Sequence, residues 1–258
     1  MVRFGCCASI EAIPNLAQWG YDYVELSASA VMPEQTDKEF TPQHDRILAA
    51  GITAEAYNCF LPGDLKIVGP DLDVDRIERY VRTAVRRMSE LGGKIAVVGS
   101  GGSRNVPEGF SHDDARSQLA VFFRLAGDAA REHGMLIAIE PLNKGECNVI
   151  NSTREARELA RRIGHTHIRV LADIYHMIVE EEPFSDLVVV GDYLEHVHLS
   201  TPDRMAPGIG EYDFNDFFGA LKEAGYRERV SVEAGYGDFD TDAPRALEFM
   251  REKWEKAF

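Results

Sequence analysis

The chain contains few cysteines, and their placement excludes a disulfide scaffold. Only four occur in 258 residues, Cys6, Cys7, Cys59 and Cys147, and they form no CxxC pair. A large chain with so few and such irregularly placed cysteines is typical of a reduced protein. The first five residues also lack a signal-peptide pattern and lead directly into a predicted strand. We therefore expect a cytoplasmic location.

The sequence also lacks an excess of basic residues and any long apolar run. Its 28 lysines and arginines are outnumbered by 43 aspartates and glutamates, so the formal net charge is −15. Nucleic-acid affinity depends largely on basic side chains that neutralise phosphates, and this balance argues against such a partner. No apolar run approaches the roughly 18 residues that a membrane span needs. We expect neither nucleic acid nor a membrane as a partner.

What the sequence does contain is a regular alternation of short apolar runs and amphipathic segments. The strand-like runs are residues 2–4, 23–26, 53–57, 95–98, 136–139, 168–171, 195–199 and 230–232. Between them, residues such as Ile77, Val81, Ala84 and Met88 recur at helical spacing. Eight alternations in about 250 residues predict an α/β protein, a single (β/α)8 TIM barrel over residues 1–258. A doubly wound open sheet is the alternative.

Four acidic or imidazole side chains stand at the ends of separate apolar runs. They are Glu140, Asp173, His198 and Glu233, at intervals of 33, 25 and 35 residues, about one strand-plus-helix unit each. In a parallel barrel the carboxyl ends of the strands meet at one mouth. Three carboxylates and an imidazole there would concentrate negative charge unless a cation lay between them. The pattern predicts a divalent metal ion in the mouth, and therefore an enzyme.

Five motifs in a fixed order give the sequence a specific resemblance. They are EPLNKGE at 140–146, DIYHM at 173–177, HVH at 196–198, DRMAPGIG at 203–210, and the final Glu233. Together they resemble the xylose-isomerase-like TIM-barrel superfamily, and within it the sugar isomerase/epimerase branch of ketose 3-epimerases and hydroxypyruvate isomerases. The resemblance covers nearly the whole chain.

The resemblance implies that Glu140, Asp173, His198 and Glu233 bind one divalent metal ion. This hard, oxygen-rich set favours Mn²⁺, with Mg²⁺, Co²⁺ or Zn²⁺ as alternatives. The resemblance also implies three side chains that contact the substrate, namely Glu146, His176 and Arg204.

The implied reaction is the interconversion of ketoses, or of aldose–ketose pairs, by proton transfer. A metal ion acting as a Lewis acid would stabilise the enediolate formed when the proton next to the carbonyl leaves. Glu140 and Glu233 are the candidate catalytic bases, one on each face of the substrate. The substrate is then a small sugar or ketoacid, and the assembly that the resemblance implies is a homodimer or homotetramer.

Some of these features also have simpler interpretations. Because strand side chains alternate and His198 takes the inward position, we expect His196 to point away from the mouth and to be structural. Taken alone, Arg204 could be a surface ion-pairing residue and His176 a packed histidine. The glycine-rich segment 99–104 lacks the Lys-Ser/Thr of a P-loop, so we interpret it as a loop that lets the backbone approach the substrate.

Two other activities remain compatible with the same barrel. A metal-dependent dehydratase or lyase of a polyol-like or ketoacid substrate uses much the same four ligands. An AP-endonuclease-like DNA-repair enzyme is a more remote alternative, because its three-zinc cluster needs additional histidines. The predicted third and fourth strands end in Tyr57-Asn58-Cys59 and Val98-Gly99-Ser100, which supply none.

Overall fold

Eight strands alternate with helices along the chain. The computed structural model describes residues 1–256. The strands are β1 Arg3–Cys7, β2 Tyr23–Ser27, β3 Ala54–Asn58, β4 Ile95–Val98, β5 Leu136–Ile139, β6 Ile168–Asp173, β7 Leu194–Leu199 and β8 Arg229–Val232. The helices are α1 Ile13–Trp19, α2 Asp37–Leu48, α3 Val74–Glu90, α4 Gly101–Arg104, α5 His112–Glu132, α6 Thr153–Ile163, α7 Ile174–Val179, α8 Asp186–Val190, α9 Asn215–Glu223 and α10 Phe239–Lys256.

The strands pair in parallel and in chain order, and β8 pairs back with β1 to close a barrel. The closing register places Arg3 beside Arg229 and Cys6 beside Val232. The predicted (β/α)8 barrel is therefore confirmed, and the open sheet is wrong. The predicted domain ends at residue 258, and its last two residues, 257 and 258, lie outside the described part of the chain.

The helices follow the predicted periodicity. The α3 helix buries Ile77, Val81, Ala84 and Met88, which form the stripe that packs against the barrel. The α6 helix begins after Ser152, whose side chain accepts a hydrogen bond from the third residue of the helix. Within residues 1–256, no helix combines the length and the apolar character needed to cross a membrane.

The apolar side chains form two cores, one between the barrel and its helices and one inside the barrel. The inner core consists of Tyr23, Ala56, Ile95, Val97, Ala138 and Leu171. Gly5 makes room for the Tyr23 ring, because a Cβ at position 5 would lie 2.3 Å from it. The Tyr23 hydroxyl lies 2.8 Å from Ser231 Oγ across the barrel. Side chains thus fill the barrel interior.

An ionic cluster lies at the amino-terminal end of the strands. Glu55, on β3, accepts hydrogen bonds from Arg3 Nη2 at 2.5 Å and from Arg229 Nε at 2.9 Å. Its side chain is only 11% exposed. This carboxylate joins β1, β3 and β8 at the end of the barrel opposite the predicted mouth.

Candidate active site

The four predicted metal ligands meet at the carboxyl ends of β5 to β8. Glu140 directly follows β5, Asp173 ends β6, His198 lies one residue before the end of β7, and Glu233 directly follows β8. One donor atom from each of the four lies within 4.8 Å of the others. Strand pairing brings two of them together directly, because the register of β6 and β7 sets Asp173 beside His198. The side chain of Glu233 is 22% exposed, and the other three are buried.

The imidazole of His198 is the central contact of this group. Its Nδ1 lies 3.3 Å from Glu140 Oε1 and 3.3 Å from Glu233 Oε2. That nitrogen is buried and has no hydrogen-bond partner within the described residues. A buried nitrogen without a partner, facing several carboxylate oxygens, is an unfavourable arrangement that a cation between them would resolve. Three oxygen ligands and one nitrogen also fit the chemistry of a divalent ion.

The carboxylates of the site have unequal environments. Burial raises the pKa of Glu140 and holds the pKa of Asp173 well above its usual range, with the charge of Glu233 adding to the second shift. Burial also acts to raise the pKa of Glu233, but the positive charges of His198 and Arg204 outweigh it and lower the pKa to about 2. The protein alone therefore stabilises the ionised form of Glu233 better than that of the other two carboxylates.

Arg204 lies at the rim of the mouth. Its Nη2 is 3.1 Å from Glu233 Oε2 and 3.8 Å from Asp173 Oδ2, and its Nη1 is 3.6 Å from Glu146 Oε1. The guanidinium also lies over the ring of Tyr175, 4.3 Å from the centroid. Each of these contacts holds the positive charge above the carboxylate cluster.

The backbone that carries Arg204 is fixed in an uncommon conformation. Arg204 has a φ of 58°, in the left-handed region that non-glycine residues seldom adopt. Gly235 N donates to Arg204 O at 2.6 Å, and Ala206 N donates to Gly235 O at 3.0 Å. Met205 and Gly235 form a parallel bridge beyond the ends of β7 and β8. These contacts with the segment after β8 stabilise the strained residue, which is typical of functional positions.

His176 and Glu146 share one anchor, Asn143. His176 lies in the short helix α7, and its Nδ1 accepts from Asn143 N at 3.1 Å. Its Nε2 is 3.7 Å from Asp173 Oδ2. Burial and the charge of Arg204 lower the pKa of His176 to about 3. Asn143 Nδ2 donates to Glu146 Oε1 at 2.9 Å, which holds a side chain that is 47% exposed near Arg204.

The expected orientation of His196, away from the mouth, is wrong. Side chains two residues apart point to the same face of a strand, so His196 and His198 both face the barrel interior. His196 Nε2 lies 2.7 Å from Glu25 Oε2, and both side chains are fully buried. His196 thus lies inside the barrel, beside the candidate site.

Glu25 and Asn58 are polar residues of the site that were not predicted from the sequence. Glu25 lies within β2 and contacts both histidines of β7. Asn58, the last residue of β3, donates from Nδ2 to Glu233 Oε1 at 3.1 Å. A charged residue in the middle of an apolar strand run was the available signal for Glu25, because such a residue must find a partner when it is buried.

The closed barrel and the polar cluster at the carboxyl ends of its strands define a TIM-barrel enzyme. Residues 13–253 match the family model described as xylose isomerase-like TIM barrel, and the chain belongs to that family.

Several relatives of the chain are sugar 3-epimerases. An L-ribulose 3-epimerase of Methylomonas sp. (strain DH-1) is 27% identical over 95% of this chain and 91% of that protein. A D-psicose 3-epimerase of Enterocloster bolteae is 24% identical over 83% of this chain and 72% of that protein. The crystal structure of a Methylomonas sp. D-allulose 3-epimerase in complex with D-allulose shares the fold, with a TM-score of 0.84, 24% identity and coverage of 98% and 97%. The prediction of an isomerase is confirmed as a class, since these relatives are sugar 3-epimerases.

Proposed function

We propose that the protein is a metal-dependent sugar epimerase that interconverts ketoses, with Glu140, Asp173, His198 and Glu233 as metal ligands. The observation that carries the proposal is that Glu140 and Glu233, from strands on either side of β7, both lie 3.3 Å from His198 Nδ1. Two carboxylates around one centre can act on opposite faces of a small substrate. The named 3-epimerase relatives support the same reaction class.

A divalent ion held by these four residues would supply Lewis acidity to the carbonyl of the substrate. The ligand set favours Mn²⁺, with Mg²⁺, Co²⁺ or Zn²⁺ as alternatives. Metal content after purification, and activity after treatment with a chelator and addition of each ion, would separate these possibilities.

The two glutamates then divide the proton transfer. The carboxylate of one accepts the proton from the carbon next to the carbonyl, and the carboxyl of the other returns a proton to the opposite face of that carbon. Asn58 and Arg204 hold Glu233 through one oxygen each, so its carboxylate keeps a fixed orientation. Glu140 is the more buried of the two, in surroundings that favour its protonated form.

The remaining polar residues would bind and orient the sugar. Arg204 has planar donors suited to an oxygen that gains negative charge. His176 accepts from Asn143 through Nδ1, which leaves Nε2 with its hydrogen for a hydroxyl of the substrate. Glu146 would accept from a second hydroxyl.

The proposal also covers domain organisation, location, assembly and partners. The protein is a single domain over residues 1–258, it is cytoplasmic, and it forms a homodimer or homotetramer. Its partner is a small sugar or ketoacid, and it binds neither nucleic acid nor a membrane. The net charge of −15 supports the absence of a nucleic-acid partner.

The test is turnover of a panel of free ketoses and ketoacids in D₂O with Mn²⁺, Mg²⁺ or Co²⁺. Epimerisation should place deuterium on the carbon next to the carbonyl, with no net loss of water from the substrate, as followed by NMR and mass spectrometry. A dehydrated product would contradict the epimerase proposal and indicate a dehydratase or lyase.

Glutamine variants assign the two bases. Glutamine keeps an oxygen that can bind metal but cannot accept a proton, so Glu140→Gln and Glu233→Gln should each abolish interconversion. Either variant can still exchange the proton of a single epimer with solvent, because only one face has lost its base. Glu132→Gln, at an exposed carboxylate on α5, is the control and should interconvert the sugars normally. Full interconversion by a site variant would show that the base lies elsewhere.

A further inference from the structure

A single carboxylate inside the barrel contacts both histidines of β7. Glu25 Oε1 lies 2.9 Å from His198 Nε2, and Glu25 Oε2 lies 2.7 Å from His196 Nε2. All three side chains are fully buried. Within residues 1–256, no lysine or arginine forms an ion pair with Glu25, and the two imidazoles are the only hydrogen-bond partners of its carboxylate.

The chemistry of these contacts determines where the hydrogens lie. An ionised carboxylate only accepts hydrogen bonds, so the Nε2 atom of each imidazole must carry a hydrogen directed at Glu25. In a neutral imidazole the other nitrogen then has a free lone pair. For His198 that nitrogen is Nδ1, the atom directed at Glu140 and Glu233.

We propose that Glu25 is the positioning residue that makes His198 a metal ligand, by holding its hydrogen on Nε2 and leaving Nδ1 free for the cation. The inference deepens the proposed function and rests on its metal site. A carboxylate that accepts the second N–H of a metal-bound histidine fixes both the tautomer and the ring orientation, and it increases the basicity of the ligand.

The surroundings keep Glu25 in this position. Its neighbour on β1 is Cys7, with which it pairs in the strand register, and the backbone of β2 is therefore fixed. His196 occupies the second oxygen, so the carboxylate cannot turn away from His198 without losing that hydrogen bond. The two imidazoles pack edge to face, with centroids 5.1 Å apart and planes at 80°. His196 therefore fixes the orientation of the Glu25 carboxylate, and this carboxylate in turn orients His198.

Glu25→Gln tests the inference with a side chain of the same shape. An amide offers one acceptor and one donor, so either His196 or His198 must now face an NH₂ group and accept at Nε2. When His198 does so, its hydrogen moves to Nδ1 and the metal ligand is lost. When His196 does so instead, His198 keeps its hydrogen on Nε2 but donates to a neutral amide oxygen, which increases the basicity of the metal ligand less than a carboxylate does. We expect Co²⁺, titrated into metal-free protein against a competing chelator, to bind about 10- to 100-fold more weakly than to the wild type.

Glu55→Gln is the matched control. It neutralises another buried strand carboxylate, bound to Arg3 and Arg229 at the opposite end of the barrel. It should leave Co²⁺ affinity unchanged even if it lowers stability. Equal Co²⁺ affinity in Glu25→Gln and the wild type would overturn the inference and leave the proposed function intact. No Co²⁺ binding by the wild type would overturn both.

A second measurement does not depend on whether the variant folds. In wild-type protein loaded with Zn²⁺ and labelled with ¹⁵N at histidine, long-range ¹H–¹⁵N correlation spectra report which ring nitrogen of His198 carries the hydrogen. We expect hydrogen on Nε2 and metal on Nδ1, with slow solvent exchange of the Nε2 hydrogen. Metal on Nε2 would show that Glu25 does not position His198 in this way.

Discussion

Gly99 lies directly against the carboxylate of Glu140. A Cβ at position 99 would stand 2.0 Å from Glu140 Oε2, closer than two nonbonded atoms can approach. Gly99 follows β4 and Glu140 follows β5, so the absence of a side chain on one strand end provides the space for a proposed ligand on the next. The glycine-rich segment therefore brings its backbone close to the candidate site.

Gly99→Ala should displace the Glu140 carboxylate without unfolding the barrel, because the flexible end of a side chain can move where backbone could not. We expect weaker Mn²⁺ binding, measured by titration calorimetry, and lower turnover of the ketose that the wild type converts fastest in the panel. Gly219→Ala, on α9, is the control, since its added methyl group meets nothing within 4 Å. Metal affinity equal in the two variants would contradict the prediction.

Arg204→Ala should lower kcat by about 100-fold, the scale observed when one preorganised donor to developing charge is removed. Metal content, measured by elemental analysis, and the circular dichroism spectrum should stay as in the wild type. Arg204→Lys keeps the positive charge but loses the planar donors and the stacking on Tyr175, so it should recover only part of the activity. An unchanged kcat in Arg204→Ala would show that Arg204 is a surface residue without a role in turnover.

His176 should remain neutral over the range in which free histidine titrates. Burial and Arg204 lower its pKa to about 3 from the usual 6.5. Because the pKa of His176 is lower in the folded state than in the unfolded state, the unfolded state binds the proton more readily. The free energy of unfolding should therefore decrease as the pH drops from 6.5 towards 3. NMR titration should show no protonation of His176 above pH of about 4. A midpoint near 6.5 would contradict the prediction.

Arg87 should contribute strongly to stability, although it contacts none of the candidate site residues. Its guanidinium, 1% exposed, donates to Val31 O and Met32 O, to Gln35 O, and to Asp37 Oδ1. Removing it leaves carbonyls with unmet hydrogen bonds, and each such buried group costs about 1–3 kcal/mol.

The variant Arg87→Met should therefore lower the free energy of unfolding by about 3 kcal/mol, as measured by urea denaturation. The neighbouring Arg86 is 36% exposed and pairs with Asp37 and Glu90 at the surface. Arg86→Met should change stability by no more than about 1 kcal/mol. Similar effects of the two substitutions would show that burial of the guanidinium does not determine its contribution.

The barrel could be predicted from the sequence because the same strand-then-helix pattern occurs eight times. Each strand is a short apolar run, and each long helix has one apolar stripe, as in α3 with Ile77 and Val81. The convergence of the strand ends then follows from the topology alone. The positions of Glu140 and Glu233 at strand ends therefore suffice to predict that they lie close together.

The interior of the barrel was less predictable. Strand side chains alternate with a period of two, so His196 and His198 share a face, and the inward position of His198 implies an inward position for His196. Glu25 and its partners are separated by more than 170 residues, and no local pattern links them. Contacts of this kind depend on the radius of the closed barrel, which short-range sequence signals do not contain.

The parallel bridge between Met205 and Gly235 has a consequence for engineering. It continues the pairing of β7 and β8 past their ends, so Arg204 and Glu233 sit on two backbone segments that hydrogen bond to each other. The rim at this point is an extension of the barrel wall and not a flexible flap. Redesign of substrate range is therefore better directed at other loops of the mouth, because changes at 204–206 would disturb the wall that supports the proposed catalytic residues.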